Sequence, residues 1–67
     1  MPTIEVTRAA DLSVADQLAE MRAWLDREGI RVTELRALRV LGGRVTFEAT
    51  FAQASNADRF RQVFDRR

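Results

Sequence analysis

Two adjacent glycines, Gly42-Gly43, separate two segments rich in leucine, β-branched and aromatic residues. A two-residue connection between antiparallel strands requires positive φ at both turn positions, and glycine adopts that conformation without steric strain. The glycine pair therefore predicts a β-hairpin formed by residues 35–41 and 44–51. The turn also sets the register of the hairpin, because it places Leu41 opposite Arg44.

This register sorts the hairpin residues into two faces, since residues opposite one another share a face. The strongly apolar face is predicted to comprise Leu38, Val40, Val45, Phe47, Ala49 and Phe51. The other face is mixed and comprises Leu35, Ala37, Arg39, Leu41, Arg44, Thr46, Glu48 and Thr50. Glu34 and Arg36 fall on the apolar side, which indicates either a frayed strand end or a β-bulge.

Three further segments carry the signals of one strand and two helices. Residues 3–7 alternate between polar and apolar side chains, as expected for a short half-buried strand. Ser13-Val14-Ala15-Asp16 has the form of a capping box and predicts a helix over residues 14–28, which Gly29 ends. Ser55-Asn56-Ala57-Asp58 has the same form and predicts the start of a second helix.

The predicted order β-α-β-β-α describes a single α+β domain over residues 1–67. It resembles a ferredoxin-like fold that lacks the last strand, with an antiparallel three-stranded sheet and both helices on one face. The first strand then lies beside the third and has no neighbour on its other side. The expected core comprises Ile4, Val6, Val14, Leu18, Met21, Leu25, Ile30, Leu38, Val40, Val45, Phe47, Phe51, Phe60, Val63 and Phe64.

The side-chain chemistry is restricted, because the chain contains no His, Cys, Lys or Tyr. These absences remove the commonest general base, the thiol and amine nucleophiles and the usual ligands of structural zinc. The acidic residues form no cluster typical of a metal site, and the glycine pair is not a phosphate-binding loop. We therefore expect no enzymatic activity, no metal and no cofactor.

The N-terminal segment and the apolar runs bear on where the protein acts. The first residues lack the basic and apolar stretches of a secretory signal. No apolar run approaches the length of a membrane span. We expect a cytoplasmic protein without membrane association.

The unpaired side of the first strand is the leading candidate interaction site. Exposed strand edges pair readily with other chains, and Thr3, Glu5 and Thr7 do little to prevent it. We expect a homodimer formed through this edge, since a chain of 67 residues gains stability from association. The alternatives are a short solvated edge, an edge covered by the C-terminus, or a dimer that uses the sheet face or the first helix.

The single tryptophan, Trp24, lies at the margin of the apolar stripe on the first helix. A tryptophan in this position is typical of an interface anchor. It is equally typical of the rim of a small core, with the indole N–H in water. The sequence leaves both interpretations open.

An alternative function is nucleic-acid or anion binding through Arg36, Arg39 and Arg44 near the hairpin. All 11 basic residues are arginine, whose planar guanidinium recognises phosphates and carboxylates. Nucleic acid is the less expected partner, because the open sheet face carries no aromatic residue and the formal net charge is +1. An ion pair between Arg39 and Glu48 would account for these residues without any ligand.

The segment Met21-Arg22-Ala23-Trp24-Leu25-Asp26, the hairpin and Phe60 resemble a family of small bacterial proteins. Members of that family combine a Trp-Leu-Asp helix end, a β-hairpin and a phenylalanine-bearing C-terminal helix. The resemblance covers most of the chain and implies the same fold. It implies no activity, cofactor or partner, because none is assigned to that family.

Overall fold

The computed structural model describes residues 1–65 and contains three strands and two helices. In chain order they are β1 (Thr3–Ala9), α1 (Val14–Glu28), β2 (Val32–Leu41), β3 (Arg44–Phe51) and α2 (Ala54–Phe64). The β-α-β-β-α order predicted from the sequence is confirmed, and the fold is α+β.

The three strands form one antiparallel sheet in the order β1-β3-β2. Because β1 and β2 are both antiparallel to β3, they run parallel to each other on its two sides. Helix α1 connects them across β3, which makes a split β-α-β unit. Both helices cover the same sheet face, since Met21 of α1 and Phe60 of α2 belong to one core with Phe47 of β3. The sheet order is that of a ferredoxin-like sheet without the strand that would lie beside β1.

Helix α1 begins and ends as its sequence predicts. The Ser13 hydroxyl accepts a hydrogen bond from the Asp16 amide at 3.1 Å, which caps the first turn. Gly29 has φ of 67°, in the left-handed region, and directs its N–H to the Asp26 carbonyl. The Ile30 N–H bonds the Leu25 carbonyl at 2.9 Å, which completes a Schellman motif.

Helix α2 begins earlier than the second capping box predicts. It starts at Ala54, and Gln53 occupies the N-cap position without a side-chain hydrogen bond. The prediction that Ser55 caps this helix is wrong, because Ser55 lies inside the first turn. Strand β3 continues to the buried Phe51, so the connection is short and the Gln53 carbonyl accepts the first helical bond, from Ala57.

The hairpin has the predicted turn but a different register along most of β2. Gly42 and Gly43 both have positive φ, and Val40 is opposite Val45 as expected. Beyond Arg39 the register shifts, so that Ala37 rather than Leu38 is opposite Phe47. Leu38 is therefore the extra residue of a β-bulge, and a second irregularity follows between Val32 and Glu34.

The bulge exchanges the two faces of β2 relative to the unbulged register. Leu35, placed on the mixed face by the sequence, is only 8% exposed and lies in the core, and Ala37 packs beside it. Glu34 and Arg36 move to the open face, which confirms the bulge rather than the frayed end. The physical reason is that the shift buries a leucine instead of two charged side chains.

The core contains most of the expected residues. Phe47 and Phe51 are fully buried at 0% exposure and face the helices, as predicted. Val40 is wrongly predicted, because it is 59% exposed on an edge strand next to the turn. Val63 is also exposed, and Val14, Leu18 and Leu38 are half-buried. Within residues 1–65, the buried apolar residues are Ile4, Val6, Met21, Leu25, Ile30, Leu35, Val45, Phe47, Ala49, Phe51, Ala57, Phe60 and Phe64.

The bulged register predicts a large loss of stability for one truncation in β2 and a small one for another. Leu35→Ala should lower the free energy of unfolding by about 2–4 kcal/mol, because it leaves a cavity in the core. Val40→Ala should change it by less than about 1 kcal/mol, because that side chain is exposed. Chemical denaturation followed by circular dichroism measures both. A larger loss for Val40→Ala than for Leu35→Ala would contradict this register.

Candidate protein-interaction site

The outer edge of β1 faces no strand within residues 1–65. Next to the strand, the Pro2 carbonyl accepts the Phe51 N–H and the Ala10 N–H donates to the Gly43 carbonyl. Even-numbered residues therefore direct their backbone groups towards the central strand. By the alternation of an antiparallel ladder, Thr3, Glu5, Thr7 and Ala9 direct theirs outward. This set includes the three edge residues singled out in the sequence.

Two side chains from outside the sheet form hydrogen bonds with outward backbone groups in the second half of this edge. The Thr7 N–H donates to the Asp65 carboxylate, with 3.2 Å between the nitrogen and Oδ1. The Ala9 carbonyl accepts from the Gln17 amide at 3.3 Å. The outward amides of Thr3 and Glu5 reach no acceptor in the described part of the chain. The C-terminal end of α2 thus covers the edge in part and leaves its first half open.

Gln17 is a buried polar residue that the sequence did not identify as a site residue. It is 1% exposed, and its Nε2 donates to the carbonyls of Ala9 and Leu12. Its Oε1 is buried and has no hydrogen-bond partner among residues 1–65. Its position, three residues after Val14 and four before Met21, puts it within the buried stripe of α1. Gln17 holds the connection between β1 and α1 against the end of the sheet.

The open face of the sheet is a network of paired polar side chains. Thr3 and Thr50 share a hydrogen bond of 2.9 Å, and Thr7 and Thr46 share one of 3.1 Å. These hydroxyl pairs join β1 to β3 on the face opposite the helices. They strengthen the cross-strand contact between β1 and β3.

The arginines proposed for anion binding are engaged with carboxylates or other groups of the chain. Arg36 Nε lies 3.1 Å from Glu48 and 3.7 Å from Glu34, and Arg39 lies 3.5 Å from Glu5. Arg44, beside the turn, also has an interaction partner. The expected pair of Arg39 with Glu48 is replaced by Arg36 with Glu48, because the bulge brings Arg36 opposite that residue.

Trp24 packs between the two helices. Its ring makes edge-to-face contacts with Phe60 and Phe64, with centroid distances of 6.1 and 5.6 Å. The Arg59 guanidinium lies over the same ring, 5.9 Å from its centroid. A shallow cavity of about 300 Å³ remains beside it, bordered by Val63. These contacts favour the interpretation of Trp24 as the rim of the core, and a role in an interface stays a prediction.

Two further properties concern metals and membranes. Within residues 1–65, no three acidic side chains converge on a position that could hold a metal ion. Over the same residues, neither helix has the length and apolar character needed to cross a bilayer.

Comparisons with known proteins add no relationship. No protein-family model matches the chain, and no curated protein or solved structure is detectably similar to it. The resemblance carried by residues 21–26, the hairpin and Phe60 therefore stays a prediction.

The packing of Trp24 predicts a stability effect rather than a binding effect. Trp24→Ala should lower the free energy of unfolding by about 2–4 kcal/mol, since it removes the ring that joins α1 to α2. Arg22→Ala, on the exposed side of the same helix, serves as the control and should change it by less than about 0.5 kcal/mol. Urea denaturation and sedimentation separate the two roles. Unchanged stability with weakened self-association would identify Trp24 as an interface anchor instead.

Proposed function

We propose that this protein is a non-catalytic interaction module that works as a homodimer through the outer edge of β1. The observation that supports it is the row of outward backbone groups on this strand, of which those of Thr3 and Glu5 have no partner within residues 1–65. An unpaired strand edge is a template for a further strand. The proposal that the module is non-catalytic rests on its amino-acid composition, which lacks His, Cys, Lys and Tyr.

The other sheet edge is less suited to strand pairing. Strand β2 shifts register at Leu38 and again between Val32 and Glu34. Each irregularity interrupts the regular spacing of outward N–H and C=O groups, which is one way that proteins discourage edge pairing. Strand β1 pairs with β3 from Thr3 to Ala9 without a shift, so its outer side is straight and regular.

Size and charge also favour self-association. A domain of 67 residues buries a smaller fraction of its surface than a larger domain does, and joining two copies adds buried area. The formal net charge of +1 gives little long-range repulsion between copies. The proposed location is the cytoplasm, because disulfide bonds are rare in that reducing compartment and the chain contains no cysteine.

Anion or nucleic-acid binding through Arg36, Arg39 and Arg44 has weaker support. A ligand phosphate would have to compete with Glu48 and Glu34 for Arg36 and with Glu5 for Arg39. Retention on heparin that falls steeply with salt would favour this alternative, because phosphate contacts release counterions.

Proline substitution at Glu5 tests the proposed edge. The Glu5 N–H points away from β3, so Glu5→Pro removes an outward donor and places a ring on the edge while leaving the β1–β3 ladder intact. Glu5→Ala keeps the amide and is the matched control. Sedimentation at micromolar concentrations should show a dimer for wild type and Glu5→Ala and a monomer for Glu5→Pro. Circular dichroism verifies that all three are folded. A wild-type chain that stays monomeric, or a Glu5→Pro variant that dimerises normally, refutes the proposal.

A further inference from the structure

We infer that the two copies pair β1 antiparallel to β1 in the register centred on Val6, with their α2 helices side by side. This inference rests on the proposed function and specifies its geometry. In this arrangement Glu5 lies opposite Thr7 of the second copy, and Thr3 lies opposite Ala9. The occupant of the edge is therefore a second copy of this chain.

Hydrogen-bond geometry and charge select the register. Outward groups come only from the odd-numbered residues of β1, so two copies exchange bonds only where odd residues oppose each other. Centring on Val6 uses the whole strand from Thr3 to Ala9 and opposes no like charges. Centring on Glu5 instead places two Glu5 carboxylates directly opposite one another, which is destabilising.

The position of α2 favours a second copy over an unrelated strand. Helix α2 packs on both β1 and β3, so its axis projects between these strands. With strands spaced by about 4.8 Å, the two α2 axes would lie roughly 10 Å apart across the two-fold axis. Packed helices are separated by about 8–10 Å. A single added peptide strand would leave this flank of α2 uncovered.

The flank of α2 that would meet its copy carries both signs of charge. Arg59 contacts Glu28 at 2.6 Å and lies over Trp24, which identifies the side of α2 that faces α1. The helical period puts Arg61 nearly opposite Arg59 and aligns Asp58 with Asp65, whose carboxylate reaches Thr7, so Asp58 and Arg61 lie on the side of α2 above the edge of β1. Both are exposed, and Arg61 forms no ion pair within residues 1–65. A mixed-charge surface can be complementary to itself across a two-fold axis.

The Asp65 carboxylate binds a backbone donor of β1 that the second copy would use. In the inferred register, the Thr7 N–H donates to the Glu5 carbonyl of the second copy. In the single chain, the same N–H donates to the Asp65 carboxylate. A carboxylate at the C-terminal end of a helix is disfavoured by the helix dipole, so the negative charge of Asp65 gives α2 no stabilisation through the dipole. Its bond to Thr7 instead caps the edge of the monomer and must open when two copies pair.

Cysteine cross-linking tests the register, and the chain provides a background without native cysteine. Glu5→Cys and Thr7→Cys variants are mixed and mildly oxidised, and the products are separated by mass. With equal amounts of the two variants, the mixed disulfide should exceed the two homodisulfides combined, because random pairing alone would make it equal to their sum. Ala19→Cys, exposed on α1, reports random collisions. A dominant Glu5→Cys homodisulfide overturns the register. Products no more abundant than the Ala19→Cys background, from a wild type that is dimeric, overturn the pairing of β1 with β1.

Removal of the Asp65 cap tests the competition. Asp65→Ala should lower the dimer dissociation constant at least about tenfold, because two capping bonds per dimer no longer have to break. Asp65→Asn keeps a weaker acceptor and should lie between Asp65→Ala and wild type. The Glu5→Pro/Asp65→Ala double variant should remain monomeric, which shows that the gain passes through the edge. Unchanged or weaker association of folded Asp65→Ala overturns this part of the inference. A monomeric wild type instead refutes the proposed function.

Discussion

The structure depends on the burial of one face of the central strand, β3. Its residues Val45, Phe47, Ala49 and Phe51 alternate along the strand and are almost fully removed from water beneath the helices. Because β3 is hydrogen-bonded on both sides, its register determines where every residue of β1 and β2 lies. Displacing it by one residue would turn its aromatic side chains into solvent and detach both helices from the sheet.

A sheet built around one central strand leaves two edges, and this chain treats them differently. Strand β2 is interrupted by bulges, which disturb its outward backbone groups along its length. Strand β1 is regular and carries side-chain caps instead, from Asp65 at Thr7 and from Gln17 at Ala9. Bulges are permanent features of the backbone, whereas a side-chain hydrogen bond opens readily. Strand β1 is accordingly the edge that can exchange an internal partner for an external one.

The hairpin turn and the first helix cap were predictable from neighbours in sequence, whereas the position of the bulge and the Asp65 cap depend on distant contacts and were not predictable. The turn at Gly42-Gly43 and the cap at Ser13 depend on a few adjacent residues, so their sequence signals were sufficient. The misplacement of Glu34 and Arg36 indicated either a frayed strand end or a bulge, and the position of the bulge at Leu38 depends on how Leu35 packs beneath the helices. The hydrogen bond between Asp65 and Thr7 joins residues 58 positions apart, and no local sequence pattern predicts it.

The Asp65 cap explains how an edge can be both protected and available. An uncapped regular edge would accept any extended chain, including partly folded copies, and would favour aggregation. A cap at Thr7 removes one donor and so lowers the affinity of every partner by the same amount. In the proposed dimer, a second folded copy would compensate for that loss, because its α2 helix would add contacts that an isolated strand lacks. Selectivity for a folded copy would therefore follow, in the proposed dimer, from a weak internal competitor combined with a second contact surface above the sheet.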